Sequence, residues 1–525
     1  MPDGGGDQRE LVARLRAVIE AKDAENAVLR AELGAQQERY RRLELRVAEL
    51  ERRLGSDSTT SGTPPSKDTI GAREQRKAER KARQSSERER RADRKPGGQP
   101  GHPGTGLSRD PAPDERQDMP PPAECTRCGT ALDGADRAGS WWSQVRDVTI
   151  TTFVTEYLLP LLTCRCCGKV NAAQPPPWAH PGSVSYGPGI NTAAVLLTSY
   201  GNVPAERAAN LIGMLLGVPV SPGFVDGASE RLSARLDGAG FDEAMQTALE
   251  AEPVLAADET PVNLLDPHAG LAEQDAGAPH VLVVRTPHAG LTWLQALGSR
   301  QAAAITAVLS FFTGFLISDG YSAYQQLLPQ LTGVQQCCQH VIRRARAVTK
   351  LGPGSLQSWA ADVINILREA HQAVDHALAR GDPALDEQLL AKLRERYDQA
   401  VAFGIIHNRL RDWHQGNHPG YTLGCWLRDY KEQVWLFTTQ FTVNWTNNCS
   451  EQAVKAAKRH QAVSGYWHTQ RTLARWCRIR SYLDSAASHG LTALDATTRA
   501  LAGEPWLPIP TGSKKQRKPQ FATYP

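Results

Sequence analysis

The order of strand-like and helical segments between residues 251 and 320 constrains the fold of this chain most. Three strand-like runs come first: EPVLAADETPV, HVLVVRT and LTWLQAL. A helical segment from about Ser299 to Ser310 follows, and TGFLISDGYSAY then supplies a fourth run. Short apolar runs bounded by turn residues are typical of buried strands, and a helix between strands indicates a layered sheet. The sequence therefore predicts an α/β core.

Acidic residues stand at the ends of the first and fourth runs. Asp258 follows the first run, and Asp319 follows the fourth. This order, with acids on the first and fourth strands, is that of the ribonuclease H-like fold, whose sheet brings the ends of these two strands together. A third acid is expected on a late helix, and TNNCSEQAVKAAKRHQ supplies Glu451, with Asn448 or Ser450 as a cap.

Asp258, Asp319 and Glu451, here called the acidic triad, have the chemistry of a metal site. Carboxylate oxygens are ligands that Mg²⁺ prefers, and two ions about 3.5 to 4 Å apart activate a water or hydroxyl and stabilise a leaving oxygen. We therefore expect the triad to be catalytic and to bind two Mg²⁺ or Mn²⁺ ions. Glu259 is a substitute candidate, although strand alternation directs its side chain to the face opposite Asp258.

The late helix also carries a basic face. At helical spacing, Lys455, Lys458 and Arg459 share the face of Glu451, so these three side chains are predicted to contact DNA phosphates. Without the other two acids, Glu451 and Lys455 would form an ordinary surface pair four residues apart.

A zinc-binding domain is predicted over residues 107–172. Cys125 and Cys128 stand in ECTRCG, and Cys164 and Cys167 stand in TCRCCGK. Two CxxC pairs can complete one closed, structural Zn²⁺ site, whereas four unrelated buried cysteines are the alternative. Cys166 is a spare thiol that can replace Cys164 or Cys167.

The segment between the two cysteine pairs has the alternation of a strand. In SQVRDVTITTFVTEY, Val148, Ile150 and Val154 fall on one face, and threonines fall on the other. A small zinc ribbon is the expected structure.

The N-terminal part of the chain is predicted to be a coiled coil over residues 8–54 and a disordered basic linker over residues 55–106. Ten of the thirteen a and d positions from Val12 to Leu54 are apolar, which favours a parallel homodimer over a single amphipathic helix. The linker carries 12 basic and 6 acidic residues from Lys67 to Lys95. It either holds DNA phosphates or acts as a solvated tether.

The rest of the chain divides into helical and mixed segments. Residues 186–250 are predicted to be helical, with one helix ending near Gly217 and another opened by Ser221 and Pro222. This outline fits a DNA-binding helix-turn-helix or a purely structural pair. The catalytic domain is predicted over residues 251–490, with a helical insertion at about 345–435, and a C-terminal tail over 491–525.

Several motifs of the chain also occur, in order, in a known family. They are the N-terminal leucine-rich helix, GGQPGHPG, the CxxC module, ADETP, SDGYSAY, CCQHVIRRAR and NNCSEQAVKAAKR. On these motifs the chain resembles the insertion sequence 66 family of bacterial transposases over nearly its whole length. The resemblance implies a DDE transposase, whose acidic triad cleaves DNA and transfers strands at the ends of its element. It also implies that His340, Arg343 and Arg344 lie beside the triad, the two arginines as DNA contacts, although His340 is as well explained as a structural residue.

Two rival functions and the cellular setting complete the predictions. The rivals are an inactive or domesticated DNA-binding protein, and a ribonuclease H-like nuclease that hydrolyses DNA without strand transfer.

The start MPDGGGDQRE lacks a secretory layout, and Ala302 to Ile317 is too short for a membrane span, so a cytoplasmic, nucleoid-associated location without membrane contact is expected. The expected partners are transposon-end and target DNA, a second copy of the chain and accessory proteins of the same element.

Overall fold

The computed structural model describes residue 22 and residues 107–176, 178–266, 278–351, 354–413 and 416–510. Apart from residue 22, the predicted coiled coil and the predicted linker lie outside the described residues, as does the chain beyond residue 510. Among the described residues, 107–154 belong to one compact unit and those from 155 to 510 belong to the other.

The strands in the described residues fall into three sheets. They are β1 (Leu161–Thr163), β2 (Val170–Ala172), β3 (Val254–Pro261), β4 (Leu264–Asp266), β5 (His280–Arg285), β6 (Thr292–Leu297), β7 (Phe315–Ser318), β8 (Gly333–Gln336) and β9 (Trp467–Thr469).

The described α-helices surround the largest sheet or extend from it. They are α1 (Pro188–Val195), α2 (Ala205–Leu216), α3 (Pro222–Gly238), α4 (Phe241–Glu250), α5 (Ala302–Leu309), α6 (Cys338–Val348), α7 (Gly354–Arg380), α8 (Glu387–Asn408), α9 (Pro419–Asp429), α10 (Lys431–Trp435), α11 (Asn448–Ser464), α12 (Gln470–Ser488) and α13 (Ala493–Leu501). Short 3₁₀ helices span Ser322–Leu327 and Leu436–Thr438, and a π-helical turn spans Leu196–Tyr200.

The largest sheet has five strands in the order β6-β5-β3-β7-β8. β6, β5 and β3 pair antiparallel, whereas β3, β7 and β8 pair parallel. β3, which comes first in sequence among these five strands, therefore lies at the centre of the sheet, beside β7, which comes fourth. The predicted α/β class is confirmed, and the sheet is mixed.

The outer edge at β6 is covered by α12. The hydroxyl of Ser485 accepts the backbone N–H of Thr292 at 2.9 Å, and the hydroxyl of Ser481 accepts that of Leu294 at 2.8 Å. All four groups are buried. Because an unpaired sheet edge is a template for association with other chains, these two serines satisfy β6 and close the sheet on this side.

Two helices before the sheet end and begin at the residues that the sequence indicated. α2 ends at Gly217, whose φ of 66° is the left-handed conformation of a helix C-cap, and the Ser221 hydroxyl caps the start of α3. On α3, Asp226 forms an ion pair with Arg475 and Glu230 forms one with Arg471. These contacts tie α3 to α12, which favours the structural pair over a DNA-reading helix.

The segment predicted as a helical insertion folds into helices α7 to α10. Together with α6 they enclose their own apolar core, in which Trp359, Leu393, Tyr397 and Trp435 are buried. This core is separate from the apolar cluster of helices α1 to α4 around the sheet.

Two segments differ from their predicted structure. Val148, Ile150 and Val154 are exposed and form no strand, and the two-stranded ribbon instead consists of β1 and β2. An alternating pattern needs a partner strand to become a sheet, and none of the described residues pairs with this segment. Residues 493–501, assigned to a C-terminal tail, form α13, because Ala496 and Ala500 pack into the core. Across the described ranges, no helix is both long enough and apolar enough to cross a membrane.

Candidate active site

Asp258 and Asp319 stand at the same end of two neighbouring parallel strands. The register pairs Ala256 of β3 with Ile317 of β7, so continuing each strand by two residues brings Asp258 and Asp319 to equivalent positions. One oxygen of Asp258 accepts the N–H of Glu259 at 3.0 Å, and one oxygen of Asp319 accepts the N–H of Tyr321 at 2.9 Å. Each carboxyl group is thereby oriented by its own backbone.

Glu451 lies in the first turn of α11, and Asn447 fixes where that helix begins. The buried Asn447 side chain donates to the carbonyl of Ala257 at 2.8 Å, directly before Asp258. Its backbone carbonyl accepts the N–H of Glu451 at 3.1 Å. Asn447 thus connects the strand that carries Asp258 to the helix turn that carries Glu451.

The beginning of α11 differs from the predicted capping. Asn448 and Ser450, the predicted caps, lie inside the helix, and Asn447 occupies the cap position without a side-chain cap bond. Its amide is instead used on β3. Arg285 at the end of β5 adds a second anchor, donating to the carbonyl of Cys449 at 3.0 Å.

The charges of Asp319 and Glu451 both act on Asp258. Burial raises the pKa of Asp258 well above its ordinary value, and the charges of Glu259, Asp319 and Glu451 raise it further. Burial also raises the pKa of Asp319. No basic side chain in the described ranges forms an ion pair with either aspartate. The charge of Arg300 opposes the raised pKa of Asp319, so Asp258 is the aspartate without cationic compensation and is a candidate cation ligand.

Glu259 occupies the opposite environment. Its side chain is 1% exposed, and its carboxylate receives the Arg300 guanidinium at 2.5 Å and the Tyr324 hydroxyl at 2.5 Å. The Arg300 guanidinium also lies over the Tyr321 ring, 3.8 Å from its centroid. Because the carboxylate is already bound on both oxygens, Glu259 is a structural residue and not a substitute ligand.

Cys337 and His340, at the beginning of α6, lie beside Glu451. Nδ1 of His340 is 3.6 Å from Oε1 of Glu451, too far for a hydrogen bond. Burial and the charge of Arg343 lower the pKa of His340, although Glu451 opposes the shift. Burial raises the pKa of Cys337 to about 11, so its thiol is protonated in the metal-free protein.

The predicted DNA-contacting residues fall into two groups. Lys455, Arg459 and Arg343 are exposed and can reach phosphates. Lys458 is half-buried, and its Nζ donates to the Pro261 carbonyl at 2.7 Å. The guanidinium of Arg344 lies over the ring of Trp426, 4.6 Å from its centroid. The side chains of Lys458 and Arg344 therefore have structural contacts inside the protein, which the sequence pattern did not indicate.

The two cysteine pairs form the same local turn, each in its own unit. The N–H of Cys125 donates to the Thr130 carbonyl, and that of Cys164 donates to the Lys169 carbonyl, both at 2.9 Å. The glycine after each pair, Gly129 or Gly168, has φ of 72° and donates back to the first cysteine. Backbone hydrogen bonds from Cys167 and Cys166 lower the pKa of Cys164. Hydrogen bonds from Thr130 lower the pKa of Cys128 to about 7.

Several site residues had no distinct signal in the sequence. Nothing separated Asn447 from Asn448, since both are asparagines before a helix. Arg300 and Tyr324 bind Glu259 from segments 41 and 65 residues away. Cys337 stands three residues before His340 in the sequence, but its closeness to Glu451 depends on the contact between the beginnings of α6 and α11, where the N–H of Asn447 donates to Cys337 Sγ.

Comparison with known protein families identifies the family of this chain. Carboxyl groups at the ends of two parallel strands and in the first turn of a helix are candidate cation ligands. A family model described as the transposase IS66 family matches residues 183–475, more than half of the 525 residues. The chain belongs to the transposase IS66 family, so the resemblance stated from its motifs is confirmed.

The comparison also covers the N-terminal region. A second model, of a family of unknown function (DUF6444), matches residues 11–108. No curated protein matches the chain. Membership in the IS66 family gives the protein a role in transposition, and with it DNA binding and a nucleic-acid-modifying activity that uses divalent metal.

Proposed function

We propose that this protein is a DDE transposase, which binds the ends of its insertion sequence and catalyses Mg²⁺-dependent DNA cleavage and strand transfer on a ribonuclease H-like core. The observation that carries the proposal is the register of β3 with β7, which brings Asp258 and Asp319 to equivalent positions at the ends of two neighbouring parallel strands. Burial is the main cause of the raised pKa of Asp258, and the charges of Glu259, Asp319 and Glu451 raise it further, although Asp319 and Glu451 are more than 60 residues away in sequence. The strand order β6-β5-β3-β7-β8 supports the fold assignment.

The triad fits magnesium. Its ligand atoms are carboxylate oxygens, and only one oxygen of each aspartate accepts a backbone N–H. Oε1 of Glu451 is buried without a hydrogen-bond partner in the described residues. Asp258, Asp319 and Glu451 would hold the ions, and bound Mg²⁺ would supply activation of a water or hydroxyl and charge neutralisation at the leaving oxygen.

The protein's own groups do the positioning. Backbone amides after Asp258 and Asp319 fix the two carboxyl groups, and Asn447 fixes Glu451 relative to β3. Exposed Lys455 and Arg459 extend along α11 from the triad, where they would bind flanking phosphates in a salt-sensitive manner. Arg343 would act in the same way from α6.

A structural Zn²⁺ held by Cys125, Cys128, Cys164 and Cys167 is part of the proposal. The matching turns and the lowered pKa of Cys128 support it, because zinc binds thiolates. Metal analysis of the full chain should count one zinc fewer per chain in a Cys128→Ser variant than in a Cys166→Ser variant. Loss of zinc in Cys166→Ser would assign that thiol to the site instead.

The experiment compares DNA binding with chemistry. Asp258→Asn, Asp319→Asn and Glu451→Gln should each abolish Mg²⁺-dependent strand transfer on DNA that carries the element's ends, while end binding remains. Each substitution keeps the side-chain shape and removes the charge that faces the metal. The matched control is Asp226→Asn, since Asp226 is an acid on α3 whose partner Arg475 lies on α12.

Two outcomes would favour the rival functions. End binding without transfer by the wild-type protein, under conditions where Mg²⁺ is bound, would indicate an inactive DNA-binding protein. Mg²⁺-dependent hydrolysis without joined products would indicate a nuclease. Wild-type transfer by any one of the three variants would remove that residue from the site.

A further inference from the structure

Cys337, His340 and Glu451 form a second group of metal-ligand side chains at the edge of the acidic triad. The Cys337 sulfur, a His340 ring nitrogen and a Glu451 carboxylate oxygen all lie within 4.8 Å of one another. Within the described residues, no other three histidine, cysteine or acidic side chains bring their ligand atoms within this distance of one another. It joins the first turn of α6 to the first turn of α11.

Two atoms of this group have unsatisfied bonding capacity. His340 Nδ1 and Glu451 Oε1 are both buried, and neither has a hydrogen-bond partner in the described part of the chain. Buried polar atoms without a partner are rare in native proteins, because they lose water and gain nothing in return. A cation between them would satisfy both atoms at once.

The spacing of these atoms suits a small cation. His340 Nδ1 and Glu451 Oε1 are 3.6 Å apart. Two ligands about 2.0 to 2.2 Å from a tetrahedral Zn²⁺ ion are separated by roughly 3.4 Å. The present separation therefore needs an adjustment of only a few tenths of an ångström.

The sulfur is supported from outside the group. The backbone N–H of Asn447 donates to Cys337 Sγ at 3.2 Å. Hydrogen bonds to a ligating atom from such outer groups orient the ligand and stabilise its charged form. The same residue also holds α11 against β3, so the position of the sulfur and that of Glu451 depend on one backbone segment.

We propose that Cys337, His340 and Glu451 bind one zinc-class divalent cation, which competes with Mg²⁺ for Glu451. Thiolate and imidazole select zinc or cobalt over magnesium, whereas the two aspartates have only oxygen ligands. Binding replaces the thiol proton of Cys337 by a metal–sulfur bond and releases that proton to solvent. The competition rests on the proposed function, since it requires Glu451 to be a magnesium ligand.

The test uses the full chain and Co²⁺ as the probe, without DNA. Sulfur-to-cobalt charge-transfer absorption reports thiolate ligation, and bound Co²⁺ per chain is counted after removal of free metal. Cys337→Ser and His340→Ala should each lose one bound Co²⁺ per chain relative to wild type. Cys338→Ser is the matched control, because Cys338 is the adjacent buried thiol and its Sγ contacts the Val434 carbonyl instead. The CxxC pairs contribute equally to all four proteins.

The outcomes separate this site from the proposed magnesium site. Equal Co²⁺ binding by wild type and His340→Ala would overturn the proposal, even if Cys337→Ser did not fold. Added Mg²⁺ should shift the cobalt titration of wild type to higher Co²⁺ concentration and should not shift that of Asp258→Asn. A Co²⁺ site that is present but insensitive to Mg²⁺ would contradict the magnesium role of Glu451 while leaving the cysteine-histidine site in place.

Discussion

Asp258 and Glu259 are adjacent acids at the end of β3, and the two faces of the strand give them opposite surroundings. On the Glu259 face, a guanidinium and a phenol bind the carboxylate. On the Asp258 face, burial raises the pKa of the carboxyl group and the charges of Glu259, Asp319 and Glu451 raise it further. Asp258 has no ion-pair partner in the described residues. Both groups are largely removed from water.

Asp258 and Glu259 are both acidic and both largely buried, so neither property separates a structural carboxylate from a candidate ligand. The groups that contact the carboxylate separate them. A buried carboxylate with a cationic partner has its charge compensated inside the protein. A cluster of carboxyl groups without such a partner can be compensated only by protons or by a bound cation. The two faces should therefore respond differently to the same chemical change.

The largest expected difference is in catalysis. Asp258→Asn should lower Mg²⁺-dependent strand transfer by about a thousandfold or more, which corresponds to about 4 kcal/mol of transition-state stabilisation. Glu259→Gln should keep a measurable rate in its folded fraction, because the Glu259 side chain faces Arg300 and Tyr324. The measurement is single-turnover transfer at saturating DNA, normalised to folded protein. Equal losses in both variants would contradict the division into two faces.

The free energy of unfolding should change in the reverse order, with the larger loss in Glu259→Gln. Glu259→Gln leaves Arg300 facing a neutral amide, so the free energy of unfolding should fall by about 2 to 3 kcal/mol. This is below the cost of breaking a fully buried ion pair, because the Arg300 side chain is 38% exposed. Asp258→Asn should not destabilise the metal-free protein at neutral pH. Denaturant unfolding of the two variants checks this, and Asp226→Asn gives for comparison the effect of losing an ion pair whose acid is 60% exposed. A greater loss for Asp258→Asn than for Glu259→Gln would refute the expectation.

The sequence predicted which residues stand at the ends of strands better than it predicted what their side chains contact. Asp258 and Asp319 could be predicted because short apolar runs identify buried strands, and the order of segments indicates which strands are neighbours. Strand alternation also predicted that Glu259 faces away from Asp258, as its contacts with Arg300 and Tyr324 show. What binds Glu259 there could not be predicted, since both partners arrive from later segments.

Helix faces were predicted less well than strand faces. Lys455, Lys458 and Arg459 share a helical pattern, yet the Lys458 ammonium donates to the Pro261 carbonyl while the other two side chains are exposed. Periodicity gives the direction of a side chain from its own helix, and only packing decides what the long side chain meets. The segment around Ile150 forms no strand for a related reason, because an alternating pattern does not supply a second strand to pair with.

Asn447 offers a sharper test of how the Asp258 face is assembled. Asn447→Ala removes the bond to the Ala257 carbonyl and leaves that buried acceptor unpaired, so unfolding should become easier by about 1 to 2 kcal/mol. Transfer should fall about tenfold or more in kcat, since Glu451 is no longer fixed relative to Asp258. The matched control is Asn448→Ala, because Asn448 is the next residue and is exposed.

The readout that distinguishes positioning from mere stability is the metal dependence. Asn447→Ala should need a higher Mg²⁺ concentration for half-maximal transfer, at a temperature where it is fully folded, and Asn448→Ala should not. An unchanged Mg²⁺ midpoint with a lower unfolding free energy would reduce Asn447 to a structural residue.

The smallest expected effect is the response of the metal-free fold to pH and Mg²⁺. The pKa values of Asp258 and Asp319 are raised in the folded protein, so the folded state retains protons that the unfolded state has already lost. Their contribution to stability is complete below the ordinary carboxyl pKa and is lost as pH rises through the folded pKa. The metal-free wild type should therefore lose more stability than Asp258→Asn between about pH 5 and pH 7.

Magnesium should act in the opposite direction, because it binds the ionised carboxylates. At tenfold the dissociation constant, Mg²⁺ should stabilise the wild-type protein by about 1.4 kcal/mol near pH 7, and by less near pH 5, where protons compete. Glu259→Gln should keep this response, because its side chain lies on the other face, whereas Asp258→Asn should lose it. Thermal unfolding with and without Mg²⁺ at the two pH values measures all three proteins. A response that survives in Asp258→Asn and disappears in Glu259→Gln would reverse the assignment of the two faces.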